Sequence, residues 1–363
     1  MIEPNVNRYN PSEVSPPGET LRELLDDRSI NQAELAARMG RPQKTISEII
    51  NGKAAITPET ALELELVLGI PADFWIAREK DFRTYIARAE QIECFRKDIR
   101  WAKKFPFRRM IELGWMPADE EESSLVRNLL EFFGVASSRM WERQYANYEA
   151  MFRKTPAFKA DCYSLSAWLR AGIAEAEKAR IKSFTKHQFM ATLDEARKLI
   201  VEPPEVFCLK LAELFAETGV AVTFIPELPK SRASGATMWL SPDRALIQLS
   251  LRYKTEDHLW FTFFHESAHI LLHNKRAIFL EGEKRSDEYE TKANEWAANF
   301  LIPLDEYKRF VSKGTYVRSN IIAFARALGI TPGIVVGRLQ HDNKIEYARY
   351  NDLKQKLTWA TKN

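Results

Sequence analysis

The stretch Leu259-Trp260-Phe261-Thr262-Phe263-Phe264-His265-Glu266-Ser267-Ala268-His269-Ile270-Leu271-Leu272 decides how the C-terminal half is read. It is apolar on nearly every face, which predicts a helix buried on all sides. Thr255 stands where it can cap that helix. Histidine and glutamate rarely sit in such a helix without partners, because burying them alone is costly. Residues four apart share a helical face, so the imidazoles of His265 and His269 can reach one Zn²⁺ ion. Glu266 lies beside them, near the fourth coordination position, where it can take a proton from an attacking water. Chance produces His-Glu-x-x-His in about one chain in a hundred of this length and composition.

Two histidines do not complete a zinc site. The metzincin pattern needs a third histidine six residues past His269, and that position is Lys275. His273 is eight residues from His265, about 12 Å along a helix axis, so the two cannot share an ion unless the helix breaks. His273 reads as a helix-end residue. Glu290, within Tyr289-Glu290-Thr291-Lys292-Ala293-Asn294 on a following helix, is the better third ligand. Asn294, four residues on, can orient a ligand histidine. Upstream, residues 220–225, 234–240 and 244–250 read as three strands parted by Pro- and Gly-containing turns. The last of them precedes the histidine helix, where an edge strand would receive an extended peptide.

The N-terminal segment carries four helix signals in a short space. Leu21, Leu24 and Leu25 share one face of a first helix. Asn31 and Glu34 form a capping-box-like pair for a second helix, which starts at Gln32 and stops at Gly40. Pro42 opens a third, which ends at Asn51-Gly52, and Thr57-Pro58 opens a fourth. A short turn containing Gly40 joins the second and third helices, which is helix-turn-helix spacing. Ile46, Ile49 and Ile50 should pack inward, leaving Gln43, Lys44, Thr45, Ser47 and Glu48 available to a major groove, with Gln32 at the start of the preceding helix. Arg38, Arg41, Lys44 and Lys53 against Glu48 alone make a local basic excess suited to phosphate contact.

These residues carry two resemblances. The run Gln32-Ala33-Glu34-Leu35-Ala36, with Ile46-Ser47-Glu48-Ile49-Ile50-Asn51-Gly52-Lys53, Ile56-Thr57-Pro58-Glu59-Thr60-Ala61, Gly69-Ile70 and Phe74-Trp75, resembles the Xre-type domain of HigA-family antitoxins over residues 18–80. The histidine helix, with Glu290-x-x-Ala293-Asn294, Ala297-Ala298-x-Phe300-Leu301 and Ile302-Pro303, is similar to the ImmA/IrrE family of metallopeptidases over residues 205–303. The second resemblance implies a gluzincin-like site of His265, His269 and Glu290, with Glu266 as catalytic base. It also implies a substrate that is itself a helix-turn-helix repressor. The first implies operator DNA and a toxin partner.

Between these domains, residues 93–116 interleave Arg96, Lys97, Arg100, Lys103, Lys104, Arg108 and Arg109 with Trp101, Phe105, Phe107 and Trp115. Such interleaving can mark a nucleic-acid surface, but an amphipathic helix with solvated cations and core aromatics is the favoured reading. Residues 320–340 show a helix–Gly329–helix layout that reads as a packing lobe rather than a second DNA reader. The chain's 363 residues exceed one ordinary domain, and its apolar fraction of 45% with 28% charged residues is that of a globular protein. A net charge of +3 leaves the choice of partner to local patches. Three scattered cysteines, Cys94, Cys162 and Cys208, argue against a disulfide framework and for a cytoplasmic setting. No stretch is apolar for long enough to span a bilayer.

The expected protein is mainly α with a small mixed sheet. A flexible arm (1–17) leads to the helix-turn-helix domain (18–80), a helical middle segment (81–204), the α+β zincin-like domain (205–303) and a C-terminal helical lobe (304–363). The expected function is that of a homodimeric DNA-binding repressor of the antitoxin type. Its zinc endopeptidase domain would cleave a protein or its own chain. The competing expectation is a non-catalytic repressor whose metal domain senses a ligand or binds a toxin.

Overall fold

The computed structural model describes residues 14–119, 121–153, 161–272, 279–280 and 287–359. Its contacts divide the chain into two compact units, Met1–Asp98 and Ile99–Asn363.

In the first unit four helices pack on one another: α1 (Pro17–Asp27), α2 (Gln32–Met39), α3 (Gln43–Ile50) and α4 (Pro58–Leu68). Asn31 caps α2 by accepting from the Glu34 amide at 2.9 Å. A cap of this kind is worth roughly 1 kcal/mol. The reciprocal half of the expected box is absent from the recorded contacts, because the Glu34 carboxylate turns to Arg38 instead. Gly40 ends α2 in the left-handed region at φ 67°, where a Cβ would be strained. Leu21, Leu25, Leu35, Ile46, Ile49, Ile50, Leu64 and Trp75 form the core. Gly18 brings α1 onto α3 so closely that a Cβ there would meet the Ile49 carbonyl at 2.2 Å.

Next comes α5 (Ala72–Ala102), 31 residues with no internal Gly or Pro to stop it. The boundary expected after residue 80 falls inside this helix, and the division between the units falls near its end.

The second unit continues with α6 (Phe107–Glu112), α7 (Glu122–Phe133), α8 (Ser138–Arg153), α9 (Cys162–Lys178), α10 (Lys186–Lys198) and α11 (Pro204–Ala216). Trp101, Phe105, Phe133, Trp141 and Tyr163 stack in one aromatic cluster. The basic residues interleaved with them point outward, and Lys103 and Arg109 pair with Glu122 and Glu112. Strands β1 (Val220–Phe224), β2 (Gly235–Ser241), β3 (Arg244–Leu249) and the two-residue β4 (Phe279–Leu280) make a mixed sheet in the order β1-β3-β2-β4. The pair β1–β3 is parallel, with Val220 opposite Ala245, and β2–β3 is antiparallel across Pro242-Asp243. The expectation that the third strand forms the edge is therefore corrected: β3 lies between β1 and β2, with its backbone groups bonded on both sides.

Helix α12 (Glu256–Leu272) crosses the sheet and is followed by α13 (Asp287–Leu301), α14 (Leu304–Ser312), α15 (Arg318–Leu328) and α16 (Pro332–His341). Thr255 does not cap α12 through its side chain. Its hydroxyl is buried without a partner, and its backbone forms an isolated bridge with Lys356. Helix α16 packs on α12 through Gly333 and Gly337, where a Cβ would come to 2.5 Å from Glu256 and 2.6 Å from Asp257. Arg197 on α10 donates to the carbonyls of Phe300, Leu301 and Leu328, which satisfies the ends of α13 and α15. Among the described residues no single helix is long and apolar enough to cross a membrane.

Candidate functional site

The interior of α12 is buried from Phe263 to Ile270, so its polar side chains face other protein groups rather than water. His265 and His269 turn the same edge outward from the helix, and their Nε2 atoms lie 2.9 Å apart. Glu290, one turn into α13, reaches both of them. Its two carboxylate oxygens stand 3.3 Å from His265 Nε2 and 3.5 Å from His269 Nε2. The three side chains form a cluster whose ligand atoms all lie within 4.8 Å of one another. In a tetrahedral zinc site with bonds of about 2.0–2.2 Å, neighbouring ligand atoms are about 3.4 Å apart. The two carboxylate spacings match this closely, the two imidazoles stand about half an ångström nearer each other, and the two-imidazole, one-carboxylate donor set suits zinc. His273 lies outside the described residues.

Two features of the site had no clear signal in the sequence. Gly235, at the start of β2, lies directly on Glu266: a Cβ there would meet the Glu266 side chain at 2.8 Å. A glycine inside a strand is a weak signal of such close approach. Thr237, two residues on, donates from its hydroxyl to the Glu266 carbonyl at 3.0 Å, pinning the helix to the strand. Glu266 itself is fully buried. Phe261, one turn before His265, stacks on that imidazole with ring centroids 6.1 Å apart.

Phe261 also lines a cavity of about 520 Å³ between α12, α13 and α16. Its apolar wall is Phe261, Ala298, Leu301, Ile302 and Ile334, and Thr291 and Asn294 bring it up to Glu290 along α13. Asn294 thus stands on the cavity wall, one turn beyond the carboxylate. At the far side Asp257 and Lys354 form a buried ion pair at 2.7 Å. Burial pushes the Cys208 thiol up to about 12, away from the reactive thiolate.

In the first unit, α3 exposes Gln43 and Lys44 to solvent, while Thr45, Ser47 and Glu48 are half-buried. Lys44 lies 3.8 Å from Glu48, and Asn51 donates from Nδ2 to the Ser47 carbonyl at 2.7 Å. Gln32 is half-buried at the start of α2.

Comparison with known proteins matches residues 21–75 to the helix-turn-helix family and residues 217–340 to the IrrE N-terminal-like domain family. The second match runs through α16, the helix that walls the cavity. The chain is 37% identical over 60 residues, 16% of its length, to the uncharacterised helix-turn-helix-type transcriptional regulator YddM of Escherichia coli. It is 29% identical over 130 residues, 36% of its length, to the uncharacterised helix-turn-helix-type regulator RghRB of Bacillus subtilis. It spans 64% of the first relative's length and 80% of the second's. Two solved structures also align with 23% of the chain. One is a protein described as an antidote of a plasmid maintenance system from Nostoc punctiforme, at 30% identity, 93% coverage of that chain and a TM-score of 0.23. The other is an addiction module antidote protein of the HigA family from Coxiella burnetii, at 27% identity, 92% coverage and a TM-score of 0.22. On the matches to the two families, the polypeptide joins an Xre-type helix-turn-helix domain to an IrrE N-terminal-like domain.

Proposed function

We propose that the chain is a DNA-binding transcriptional regulator, an autorepressor of the antitoxin type, that carries a zinc-dependent endopeptidase site. The observation that supports this best is the meeting of His265, His269 and Glu290 beside the buried Glu266, with a cavity of mixed apolar and polar lining further along α12 and α13. A zinc ion held by those three side chains would lower the pKa of a coordinated water and polarise a scissile carbonyl. Glu266 accepts a proton from the attacking water and returns it to the leaving amine. Gly235 and Thr237 hold Glu266 against β2, so its carboxylate starts from a fixed position. Strand β2, rather than β3, is the strand packed on Glu266, and because β2 is itself paired with β3 and, at Ala236 and Thr237, with β4, an extended substrate would lie at the β4 edge of the sheet. The cavity takes a substrate side chain. Asn294 steadies the ligand end of α13.

The DNA-reading surface is α3, with Gln43, Lys44, Thr45, Ser47 and Glu48 facing the major groove and Gln32 near the backbone. Leu62 and Leu66, one turn apart on α4 and 55% and 86% exposed, offer an apolar contact for a second copy. A dimer would read a palindrome with half-sites about one helical turn, or a multiple of it, apart. The protein substrate is the chain itself or a partner repressor, and a toxin is the expected antitoxin-type partner.

The test is incubation of the zinc-loaded protein and Glu266→Gln, alone, with operator DNA and with a helix-turn-helix repressor, followed by mass spectrometry. Fragments from the wild type alone support hydrolysis. Identical fragment patterns under every condition would leave a non-catalytic, metal-dependent regulator.

A further inference from the structure

The loop between β1 and β2 holds two non-glycine residues in the left-handed region, Lys230 at φ 65° and Arg232 at φ 53°. Strain of this kind persists where surrounding structure enforces it, commonly at ligand sites. Ser231 between them is fully buried, and its hydroxyl has no hydrogen-bond partner. The loop walls an open cavity of about 440 Å³ together with Arg109 from α6 and Arg252 from the segment after β3. Arg252 is fixed in place: its Nη1 donates to the Arg232 carbonyl, and its guanidinium lies over the Tyr253 ring at 5.0 Å.

Four cations from three separate segments therefore line one concavity. Glu227 is the one carboxylate in its lining, and that side chain accepts from the Trp359 indole at 3.4 Å. Arg109 has a partner in Glu112 at 2.9 Å. Among the described residues no carboxylate is recorded in ion-pair contact with Lys230, Arg232 or Arg252. Gathering like charges is unfavourable unless an anion joins them. A lone phosphate needs fewer partners than this cavity offers. A duplex carries single charges spaced along a convex rod, a poor match for cations converging in a hollow.

We propose that this cavity binds the di- or triphosphate group of a small molecule, with Arg232 and Arg252 gripping the phosphate oxygens and Lys230 and Arg109 completing the charge balance. The site does not depend on the metal centre. Calorimetric titration of the full-length protein with pyrophosphate and with ATP tests it. The wild type and His265→Ala should bind both, and Arg232→Ala/Arg252→Ala should bind at least about tenfold more weakly. Lys230→Gly removes the backbone strain together with one cation, so it should raise the melting temperature while weakening pyrophosphate binding. Three results would overturn the proposal. The first is no binding of either compound by the wild type. The second is loss of binding in His265→Ala with binding retained in Arg232→Ala/Arg252→Ala, which assigns the anion to the metal centre. The third is arginine variants that lose affinity for duplex DNA alone.

Discussion

Glu290 brings a carboxylate oxygen to 3.3 Å from Nε2 of His265, across the gap between two helices. The contact makes the carboxylate a separable part of the centre. Glu290→Ala should reduce bound zinc, measured by elemental mass spectrometry after gel filtration, by about tenfold or more. His273→Ala should leave it unchanged. The reverse pattern would show that the third ligand is misassigned.

The cavity beside Phe261 predicts a side-chain preference that can be read without any substrate. Hydroxamates bind a zinc centre through their own oxygens, so glycine hydroxamate reports the metal alone and phenylalanine hydroxamate reports metal plus cavity. Burying a large apolar side chain is worth about 1.5–3 kcal/mol, so the second compound should bind about 10- to 100-fold tighter. Ala298→Trp should erase that gap and leave the glycine compound unaffected. If glycine hydroxamate fails to bind, the metal centre is wrong. If both compounds bind alike, the cavity is not the recognition pocket.

Lys44 is 84% exposed at the front of α3, and its one recorded ion pair, at 3.8 Å to Glu48, is weak. In a promoter-fragment titration, Lys44→Ala should flatten the dependence of log affinity on log salt by about one unit. Ser47→Ala should instead relax the sequence preference at one base. Unchanged binding in the double variant would remove α3 from the DNA interface.

Glu256 is buried at the start of α12, where its Oε1 accepts from the Gln355 amide at 3.0 Å. Burial holds its carboxyl above the usual carboxylate range. A folded-state pKa above the unfolded one means that the folded chain binds the proton more tightly. The stabilisation from that proton is complete below the unfolded pKa and is lost as pH rises through the folded pKa. Glu256→Gln keeps the acceptor oxygen and removes the charge. It should therefore melt higher than the wild type at pH 8, and the difference should close as the pH falls through the raised pKa. A constant difference across the range would assign the effect to packing.

What the sequence disclosed was local. The cap at Asn31, the stop at Gly40 and the four-residue spacing of His265 and His269 are short-range signals, and each element stands within a residue or two of its expected place. The order of the strands was not legible. Strand β3 reads as a short, mostly apolar run, Ala245-Leu246-Ile247-Gln248-Leu249, that any buried strand could show, and its central position comes from a parallel partner some 25 residues upstream. The same limit hid the cavity walls, which come from α12, α13 and α16. It also hid the backing of Glu266 by Gly235, which lies 31 residues before it. The length of α5 escaped for the opposite reason: its amphipathic pattern is weak, and no Gly or Pro marks an end between Ala72 and Ala102.

The two pairings of β3 differ in the chain entropy needed to make them, and this bears on the order in which the domain assembles. The hairpin with β2 closes only Pro242-Asp243, a turn that is braced when Ser241 and Ser183 donate to the Asp243 carboxylate. The parallel pairing with β1 must close a loop that contains the whole of β2. Topology therefore favours the hairpin as the earlier structure and the β1 pairing as the later one. Because α12 rests on β2 and β3, its two histidines can be in register before α13 arrives with Glu290. A zinc ion present during folding would then find a two-point perch first and a closed centre last, so its contribution to stability would come with the docking of α13.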